Sequence, residues 1–545
     1  MSGSITLENR FGVNKMELIS LKYAIFVIVL LVLYYCFPKK YRWYVLLAGS
    51  MAYYVIICKW YVLFIIFTIC TTYGSTIWID KLLKEQNAIV KSHKEDWDRQ
   101  TRKEYKEKGR KKRVAVMLFA LLCNFGILAF LKYIPYAGEL GLLLPLGISF
   151  YTFQSMGYVM DVYREIVEPE KNFLKVALFV SFFPQIIQGP IAIYDKLAGQ
   201  LYEGHSLRLE NLQKGALLVL WGVMKKLVIA DRAVNIINFV MDKPMDFSGT
   251  YVFFAAVVYA LQLYADFSGG IDIVRGIAEM FGITMSTNFN HPYFSRSLTE
   301  YWHRWHMTLG DWCRNYIFYP LSISKRFLNF GKWLKPRFGA HISKVLPGCI
   351  ASVITFIVIG VWHGANMKYL CFGLWNGIVI MLAELFAPVN KKVAGGFFKL
   401  TGLREKGIFA TIVSVLWTFM LILVGYYFDI AANASTAFHM LFKSVTDFHI
   451  SELGINNIIL NLGACGLDEY DILLLIICTL LWFFISFVEE NKKLDMRDFI
   501  LSRKLPLRWA IIYLGIFIVI IFGYYGPGAV SYTHLRAHET LRHLV

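Results

Sequence analysis

The chain has 545 residues, of which 57% are hydrophobic and 17% charged, and its mean hydropathy is +0.50. A soluble protein would carry about 25% charged residues, so this composition excludes an ordinary soluble enzyme. The formal net charge of +18 is concentrated in loops, which favours a topology signal over nucleic-acid binding. The apolar runs are too long and continuous for barrel strands, so we predict an all-α polytopic membrane protein.

The N-terminal third carries the signals for topology. Residues 1–15 are polar, and Met16, directly before the first apolar run, is an alternative start. Residues 21–37 end in Pro-Lys-Lys-Tyr-Arg without a small-residue cleavage site, which predicts a first span rather than a signal peptide. Residues 81–113 hold 13 Lys or Arg against 6 Asp or Glu, so we place this loop in the cytoplasm and the N-terminus outside. We interpret the basic face as a topology determinant, with binding of anionic lipid or an acidic carrier protein as the alternative.

Apolar stretches continue along most of the chain. Several are short or interrupted by Pro, Gly or charge, so we predict about 11 true spans plus re-entrant or interfacial helices. The candidate spans are 21–37, 43–58, 60–78, 114–131, 142–160, 173–194, 214–240, 249–267, 345–362, 366–388, 408–430, 472–488 and 507–525.

No internal repeat and no soluble domain are recognisable. We divide the chain into a polar lead (1–20), a membrane core (21–390), a C-terminal transmembrane bundle (391–527) and a tail (528–545). The tail bears no relation to what precedes it and resembles translated adaptor sequence, so its three histidines are given no functional weight. Whether residues 1–15 and 531–545 belong to the native protein is left open.

Several kinds of chemistry have no sequence signal here. The chain has no GxSxG elbow, Walker A loop, HExxH motif or GxGxxG in a strand–helix context, which argues against a serine-triad lipase, an ATP-driven pump and a zinc protease. Its nine cysteines form no CxxC and lie mostly in apolar runs. We therefore expect no metal site and no tightly bound cofactor.

A histidine in an apolar stretch is the first candidate for chemistry. His363 follows the apolar run 350–362, and apolar sequence resumes beyond Asn366. An ionisable group at membrane depth is costly and is by default a functional candidate. Imidazole is also the side chain best suited to proton transfer near neutral pH.

A second histidine pair lies between 297 and 316. Ser297 followed by Glu300 is a capping-box pattern, so a helix is predicted to begin at Leu298. An aromatic stripe is predicted along one face of this helix, opposite an i,i+4 pair of Glu300 with Arg304. Its residues are Leu298, Trp302, Trp305, Leu309, Trp312 and Tyr316.

The two histidines of this segment have different expected positions. His306 borders the aromatic stripe and can face inward, whereas His303 is expected at the polar edge as a hydrogen-bonded interfacial residue. The whole helix is interpreted as lying in the membrane interface or lining a cavity.

Other polar residues also lie in apolar surroundings. The adjacent glycines after Asp266 predict a bend or a close helix approach, and Asp272 is predicted to pair with Arg275. The stretch 183–190, which includes Gln188, is predicted to be broken or re-entrant. These groups, with Lys225, Lys226, Asp231 and Arg232, have either a tunnel or a scaffold role, and the scaffold role is favoured.

Six stretches together resemble the membrane-bound O-acyltransferase (MBOAT) family, most of all its bacterial alginate O-acetylation branch, with teichoic-acid D-alanylation proteins as cousins. They are Leu-Pro-Leu-Gly-Ile-Ser-Phe-Tyr-Thr-Phe at 144–153, Ser-Phe-Phe-Pro-Gln-Ile-Ile-Gln-Gly-Pro at 181–190, Asp-Phe-Ser-Gly at 266–269, Asn-Phe-Asn-His-Pro-Tyr-Phe-Ser-Arg-Ser at 288–297, Trp-His at 305–306 and Trp-His-Gly-Ala-Asn at 362–366. Met367 departs from the family pattern, where Trp is frequent, and the family's aromatic C-terminal end is replaced by the tail.

The resemblance implies a fold and a site. The implied fold is a ring of tilted helices around a central tunnel that admits an acyl donor from the cytoplasm and an acceptor from outside. The resemblance implies His363 as the catalytic histidine and His306 as its companion. We expect His363 to act as general base, kept neutral by desolvation, and His306 to position or polarise the donor carbonyl. Substrate-binding or tunnel positions are expected at Asn366, Trp305, Trp362, Asp266, Gln188 and Arg304.

The expected function follows from this resemblance. It is transfer of an acetyl or similar small acyl group from a cytoplasmic thioester, acetyl-CoA or an acyl carrier protein, toward an extracellular polysaccharide. The expected partners are membrane lipid, an extracytoplasmic SGNH-type acyltransferase and a cytoplasmic carrier protein, with no nucleic acid. The expected location is the bacterial cytoplasmic membrane. D-alanyl transfer toward teichoic acid is the alternative within the class, and a transporter is the alternative from another class.

Overall fold

A computed structural model of the chain describes residues 18–134, 142, 144–401, 404, 407–454, 457 and 465–525. Every regular element in these ranges is helical, so the predicted all-α class is confirmed. The predictions for residues 1–15 and for the tail 528–545 lie outside the described residues.

The chain is a multi-pass membrane protein. Eight stretches of the described residues are long and apolar enough to cross a membrane, and two shorter apolar helices accompany them. The first of the eight, Lys39–Ser92, contains two helices joined by a 3₁₀ turn. Once these two are separated and the shorter helices added, the structure agrees with the prediction of about 11 spans.

The chain divides into two compact units. The first comprises the described residues up to Val219 together with Gly270–Ser286, and the second comprises Leu220–Gly269 together with the described residues from Thr287 onward. The region boundaries predicted from the sequence, including the one at residue 390, stay predictions.

The helices up to Met224 range in length from 6 to 35 residues. They are α1 (Leu21–Cys36), α2 (Arg42–Cys58), α3 (Val62–Ser92), α4 (Arg99–Tyr133), α5 (Ile148–Tyr163), α6 (Phe173–Ser181), α7 (Phe183–Gln188), α8 (Tyr194–Tyr202) and α9 (Leu209–Met224).

The later helices belong mostly to the second unit. They are α10 (Asp231–Met241), α11 (Gly249–Met280), α12 (Leu298–Arg304), α13 (Met307–Cys313), α14 (Tyr319–Ser322), α15 (Lys325–His363), α16 (Met367–Leu385), α17 (Ala387–Thr401), α18 (Ile408–Ile430), α19 (Ala434–Thr446), α20 (Glu469–Lys492), α21 (Met496–Leu501) and α22 (Leu505–Phe522). A π-helical turn, Lys225–Ala230, joins α9 to α10, and a second, Arg314–Phe318, joins α13 to α14.

In the first unit, two of the stretches that carry the family resemblance pack against each other. Gly147 begins α5 with a left-handed φ of 71°, and a Cβ there would overlap the backbone of Ile186 at α7. The Gln154 side chain of α5 donates to the carbonyl of Phe179 at 2.6 Å, and Gln185 donates to the side chain of Gln154. The helix break before α7, with Pro184 in its first turn, confirms the predicted interruption.

In the second unit, α15 and α16 form a close antiparallel pair. Glycine makes this approach possible, because a Cβ at Gly360 would overlap the carbonyl oxygen of Tyr369, and a Cβ at Gly373 would overlap that of Phe356. Helix pairs in membranes gain stability from such backbone proximity. The segment 364–366 joins the two helices. The close packing of α16 against α15 therefore holds the end of α15 in a defined place.

Candidate functional site

His363 is the last residue of α15 and is half-buried among aromatic rings. The centroid of its imidazole lies 4.8 Å from that of Trp362, 5.6 Å from that of Phe372 and 6.1 Å from that of Tyr369. Tyr369 is stacked on the imidazole, and the other two rings meet it edge-on. These contacts hold the ring plane of His363 in place.

Gly364 makes the stacking on His363 possible. A Cβ at this position would lie 2.5 Å from the Tyr369 ring, closer than any ordinary carbon contact. The glycine of the Trp-His-Gly stretch therefore acts through Tyr369, which sequence reasoning did not single out. The sequence feature that could have pointed to this contact is the glycine directly after an intramembrane histidine, at the end of a helix.

His306 lies at a break between two short helices. The prediction of one continuous helix through Trp305 is wrong: α12 ends at Arg304, α13 begins at Met307, and His306 has a left-handed φ of 45°. Helix α12 does begin at Leu298 as predicted, with the backbone N–H of Glu300 donating to Ser297 Oγ at 3.1 Å.

The break occurs because a separate backbone segment, residues 288–290, is hydrogen-bonded to the end of α12 and to the start of α13. The N–H of Asn290 donates to the carbonyl of Arg304 at 3.0 Å, and the N–H of Met307 donates to the carbonyl of Asn288 at 2.9 Å. In a continuous helix these groups would bond within the helix. Contacts from 288–290 replace those bonds and turn His306 into the interior, where it is 5% exposed.

The side chain of Asn288 determines which nitrogen of His306 carries the proton. Its Oδ1 accepts from the backbone N–H of Thr308 at 3.1 Å and from the Thr308 hydroxyl at 2.9 Å, so this atom must be the oxygen. The same Oδ1 lies 3.2 Å from His306 Nδ1, which must therefore donate.

His306 is consequently a neutral imidazole with its proton on Nδ1. Burial lowers its pKa from 6.5 to about 3, because the surroundings disfavour the charged form. Its Nε2 is buried and has no hydrogen-bond partner among the described residues. An imidazole in this state presents a lone pair, which makes it a hydrogen-bond or proton acceptor.

Trp362 brings the two histidines into one site. Its ring centroid lies 6.4 Å from that of His306 and 4.8 Å from that of His363, so both imidazoles contact the same indole. Phe267 meets His306 edge-on at 4.9 Å. The site thus joins the two Trp-His stretches and the Asp-Phe-Ser-Gly stretch.

The polar residues on either side of Phe267 anchor helix α11. Asp266 pairs with Lys226 at 2.9 Å, and Lys226 also pairs with Asp231. Lys225 donates to Ser268 at 2.8 Å. These groups are buried in the second unit, and breaking such a buried pair leaves a charge uncompensated. Asp266, expected in the tunnel, is thus bonded to the π-helical turn, and its pairing with Lys226, which also holds Asp231, was not recognised from the sequence.

Arg304 and Trp305 are held in separate clusters. Arg304 pairs with Glu300 at 2.7 Å, as predicted, and with Glu490 of α20 at 3.0 Å. Trp305 is buried, with its ring 5.0 Å from that of Phe289 and 5.7 Å from that of Tyr301. Both residues therefore fix the turn that carries His306.

Asn366 and Gln188 lie elsewhere. Asn366 caps α16, accepting from the N–H of Lys368 at 3.1 Å, and its amide donates to the carbonyl of Ala432 at 3.3 Å. Gln188 is buried in the first unit at the end of α7, where a Cβ on Gly270 would overlap its side chain. The close approach predicted at the paired glycines is thus confirmed, and α11 continues through them unbroken.

Other predicted positions are also located. His303 is exposed, as expected for the polar edge of the helix. Asp272 pairs with Arg275 at 3.4 Å, also as predicted. Met367, where relatives often have Trp, is 59% exposed at the first residue of α16.

Asn288 is a candidate site residue that the sequence prediction did not single out. It lies in the Asn-Phe-Asn-His-Pro-Tyr stretch that contributes to the family resemblance, and a buried amide there was the available signal. No group of three or more His, Cys, Asp or Glu that could hold a metal ion occurs among the described residues.

Comparison with known proteins finds a family match over part of the chain. Residues 169–335 match MBOAT, the membrane-bound O-acyltransferase family, which confirms the resemblance drawn from the motifs. This is an all-helical, multi-pass membrane protein with an MBOAT region. His306, Asn288 and Phe267 lie inside the matched residues, whereas His363 lies beyond them.

Individual relatives carry related names. The chain is 30% identical over 315 residues to the probable alginate O-acetylase AlgI of Pseudomonas syringae, which covers 57% of this chain and 54% of the relative. It is 30% identical over 314 residues to the peptidoglycan O-acetyltransferase of Helicobacter pylori, covering 51% and 56%. It is 26% identical over 288 residues to the teichoic acid D-alanyltransferase of Bacillus subtilis, covering 52% and 67%. The matched region therefore spans about half the length of the first two relatives.

Proposed function

We propose that this chain is a membrane O-acyltransferase that passes an acetyl or similar small acyl group from a cytoplasmic thioester toward an extracellular polysaccharide. The observation that carries the proposal is the contact of His306 and His363 with one indole, that of Trp362. The named activities of the relatives, O-acetylation and D-alanyl transfer, support the same class of reaction.

The proposed reaction needs one base. The acceptor hydroxyl is a weak nucleophile, and His363 as general base removes its proton as the oxygen attacks the thioester carbonyl. A C–O bond forms, the C–S bond breaks, and the proton passes from the imidazole to the departing thiolate. General-base catalysis of this kind contributes about 10²–10⁴-fold.

The tautomer of His306 favours a role different from the one expected from the sequence. Polarising a carbonyl requires a proton on Nε2, but the proton lies on Nδ1, bonded to Asn288. We assign His306 Nε2 as a hydrogen-bond acceptor for a second hydroxyl of the polysaccharide acceptor, which places the attacking hydroxyl beside His363. In this assignment Asn288, Phe267 and Trp362 are positioning residues that act through the imidazoles.

The remaining candidates take supporting roles in this proposal. Asp266 and Arg304 anchor the elements that carry the site through their ion pairs. Trp305 packs the turn before His306, and Asn366 holds the turn after His363. Gln188 has a buried Nε2 without a partner among the described residues, which suits a group that awaits a substrate.

The finer points of the function follow the family. The donor is acetyl-CoA or an acyl carrier protein, used as substrate, and the protein works in the bacterial cytoplasmic membrane with its N-terminus outside. An SGNH-type acyltransferase on the outer face completes the transfer to the polymer. Relatives that act on alginate, peptidoglycan and teichoic acid support a polymer acceptor.

The test is acyl transfer by the purified protein in liposomes. Labelled acetyl-CoA and a labelled D-alanyl carrier protein are offered separately to the wild type, to His363→Ala and to the exposed control His303→Ala. Transfer from acetyl-CoA by the wild type and the control, but not by His363→Ala, would support the proposal and the base together. Full activity of His363→Ala would contradict the base assignment.

Two other outcomes point elsewhere. Transfer from the D-alanyl carrier alone would favour D-alanylation, the reaction named for the Bacillus subtilis relative. Intramembrane charges and broken helices also occur in transporters. Solute flux that persists in His363→Ala, without acyl transfer from either donor, would favour that class.

A further inference from the structure

A basic groove lies between the polar ends of α3 and α4, within the first unit. Its volume is about 550 Å³, in the range of small-molecule sites. One wall is formed by Leu83, Gln86 and Asn87 of α3, and Glu107 and Glu165 also line it. The opposite wall consists of six basic residues of α4: Arg99, Arg102, Lys103, Lys106, Arg110 and Arg113.

The six basic residues follow a helical period. Apart from the adjacent Arg102 and Lys103, they are spaced three and four residues apart, which places all six on one face of α4, the face turned toward α3. A face that packs against another helix is ordinarily apolar, and like charges one turn apart destabilise a helix. The positive-inside rule counts basic residues and does not require them to share a face or to line a groove.

Two buried atoms at this groove have unmade hydrogen bonds. Arg113 is 8% exposed and pairs with Glu165 at 2.9 Å through Nη1, but its Nε has no partner among the described residues. Gln86 is 6% exposed, and its Oε1 likewise has no partner there. A buried polar atom without a hydrogen bond is unfavourable, and both residues line the groove, so its wall contains polar groups whose hydrogen bonds this arrangement leaves unmade.

We propose that this groove binds a phosphate ester. The phosphate oxygens accept from Arg113 and from the exposed cations around it, since guanidinium forks match phosphate geometry. Both a phosphatidylglycerol headgroup and a soluble phosphate ester such as coenzyme A have this chemistry. The phosphatidylglycerol arm is independent of the acyl-transfer proposal, whereas the coenzyme A arm rests on it, because acetyl-CoA is the donor proposed there.

The test measures binding to the full-length protein in phosphatidylcholine nanodiscs. The two probes are coenzyme A and a short-chain phosphatidylglycerol, with binding followed by microscale thermophoresis at low and high salt. The groove variant is Lys106→Gln with Arg110→Gln, chosen because both side chains are exposed and folding should be preserved. The matched control is Lys108→Gln with Lys111→Gln, which removes the same charge from the same helix outside the groove.

We expect at least one probe to bind, more weakly at high salt. The groove variant should weaken that binding about tenfold, as expected for lost charge-assisted hydrogen bonds, and the control should change it less than about twofold. Binding of the lipid alone would identify a headgroup site, and binding of coenzyme A would identify a soluble ligand. Equal weakening by both variants would overturn the proposal in favour of a diffuse basic surface. Absence of binding by either probe would also overturn it.

Discussion

The two histidines of the site are held in different ways. His306 is fully enclosed and bonded through Nδ1 to an amide that also ties down Thr308. His363 is half-buried at a helix end and packed among aromatic rings. Polar contacts determine the position of a proton, whereas ring contacts determine the orientation of a plane. The first surrounding suits a residue of constant protonation, and the second suits one that gains and loses a proton.

The largest expected effect comes from His363. Replacing it with Ala should lower the rate of acyl transfer about 10²–10⁴-fold, because the proposed base is lost. Transfer rates in liposomes, compared with those of the exposed control His303→Ala, measure this. A rate of His363→Ala within a few-fold of the wild type would contradict its assignment as the base, and with it the proposed difference in role between His363 and His306.

A smaller loss is expected from Gly364→Ala. The new methyl group would lie 2.5 Å from the Tyr369 ring and displace it, and with it the imidazole it stacks on. A shift of about 1 Å at a reacting group can lower a rate about 10²-fold. Gly348→Ala in the same helix is the control, since nothing lies within 4 Å of its Cβ. Equal activities of the two variants would show that stacking does not position His363.

Asn288→Ala tests the polar contacts that hold His306. It removes the acceptor for His306 and for the N–H of Thr308. The loss of about 1–3 kcal/mol that an unsatisfied buried donor costs should appear in thermal unfolding, and transfer should fall about tenfold. The exposed Asn290→Ala in the same segment should leave both unchanged. Unaltered activity of Asn288→Ala would show that the tautomer of His306 is unimportant.

The smallest effect concerns pH. Because burial lowers the pKa of His306 to about 3 from 6.5, the unfolded chain binds a proton that the folded protein excludes between these values. This contribution to stability is complete above pH 6.5 and decreases as the pH falls toward 3. Melting temperatures measured from pH 7.5 to 4.5 should therefore decline less steeply in His306→Gln. Parallel curves would indicate that His306 is accessible to protons in the folded state.

Local sequence patterns predicted local structure. The start of α12 at Leu298, the Glu300–Arg304 pair and the Asp272–Arg275 pair depend on neighbours three or four residues apart, so they could be predicted. The break at His306 could not, because it depends on backbone bonds to residues 288–290. From periodicity alone, the aromatic stripe is compatible with a continuous helix.

The sequence predicted which residues form the candidate site better than it predicted the contacts between them. The motifs pointed to His306, His363 and Trp362, and the structure brings these three together. Asp266 pairs with Lys226, 40 residues earlier in the chain, and Lys226 in turn pairs with Asp231, 35 residues before Asp266. No pattern within a single helix relates residues so far apart. Asn288 was overlooked for the same reason, since its importance lies in the tertiary contact.

The single indole between the two imidazoles has a consequence for engineering the protein. Because Trp362 contacts both rings, its volume contributes to the spacing between them. In the proposed reaction, that spacing bounds the size of the acyl group that is transferred. Trp362 is therefore the position at which to begin redesign for longer acyl chains: exchanging the indole for a phenyl ring would enlarge the space while leaving both histidines, and their hydrogen bonds, in the chain.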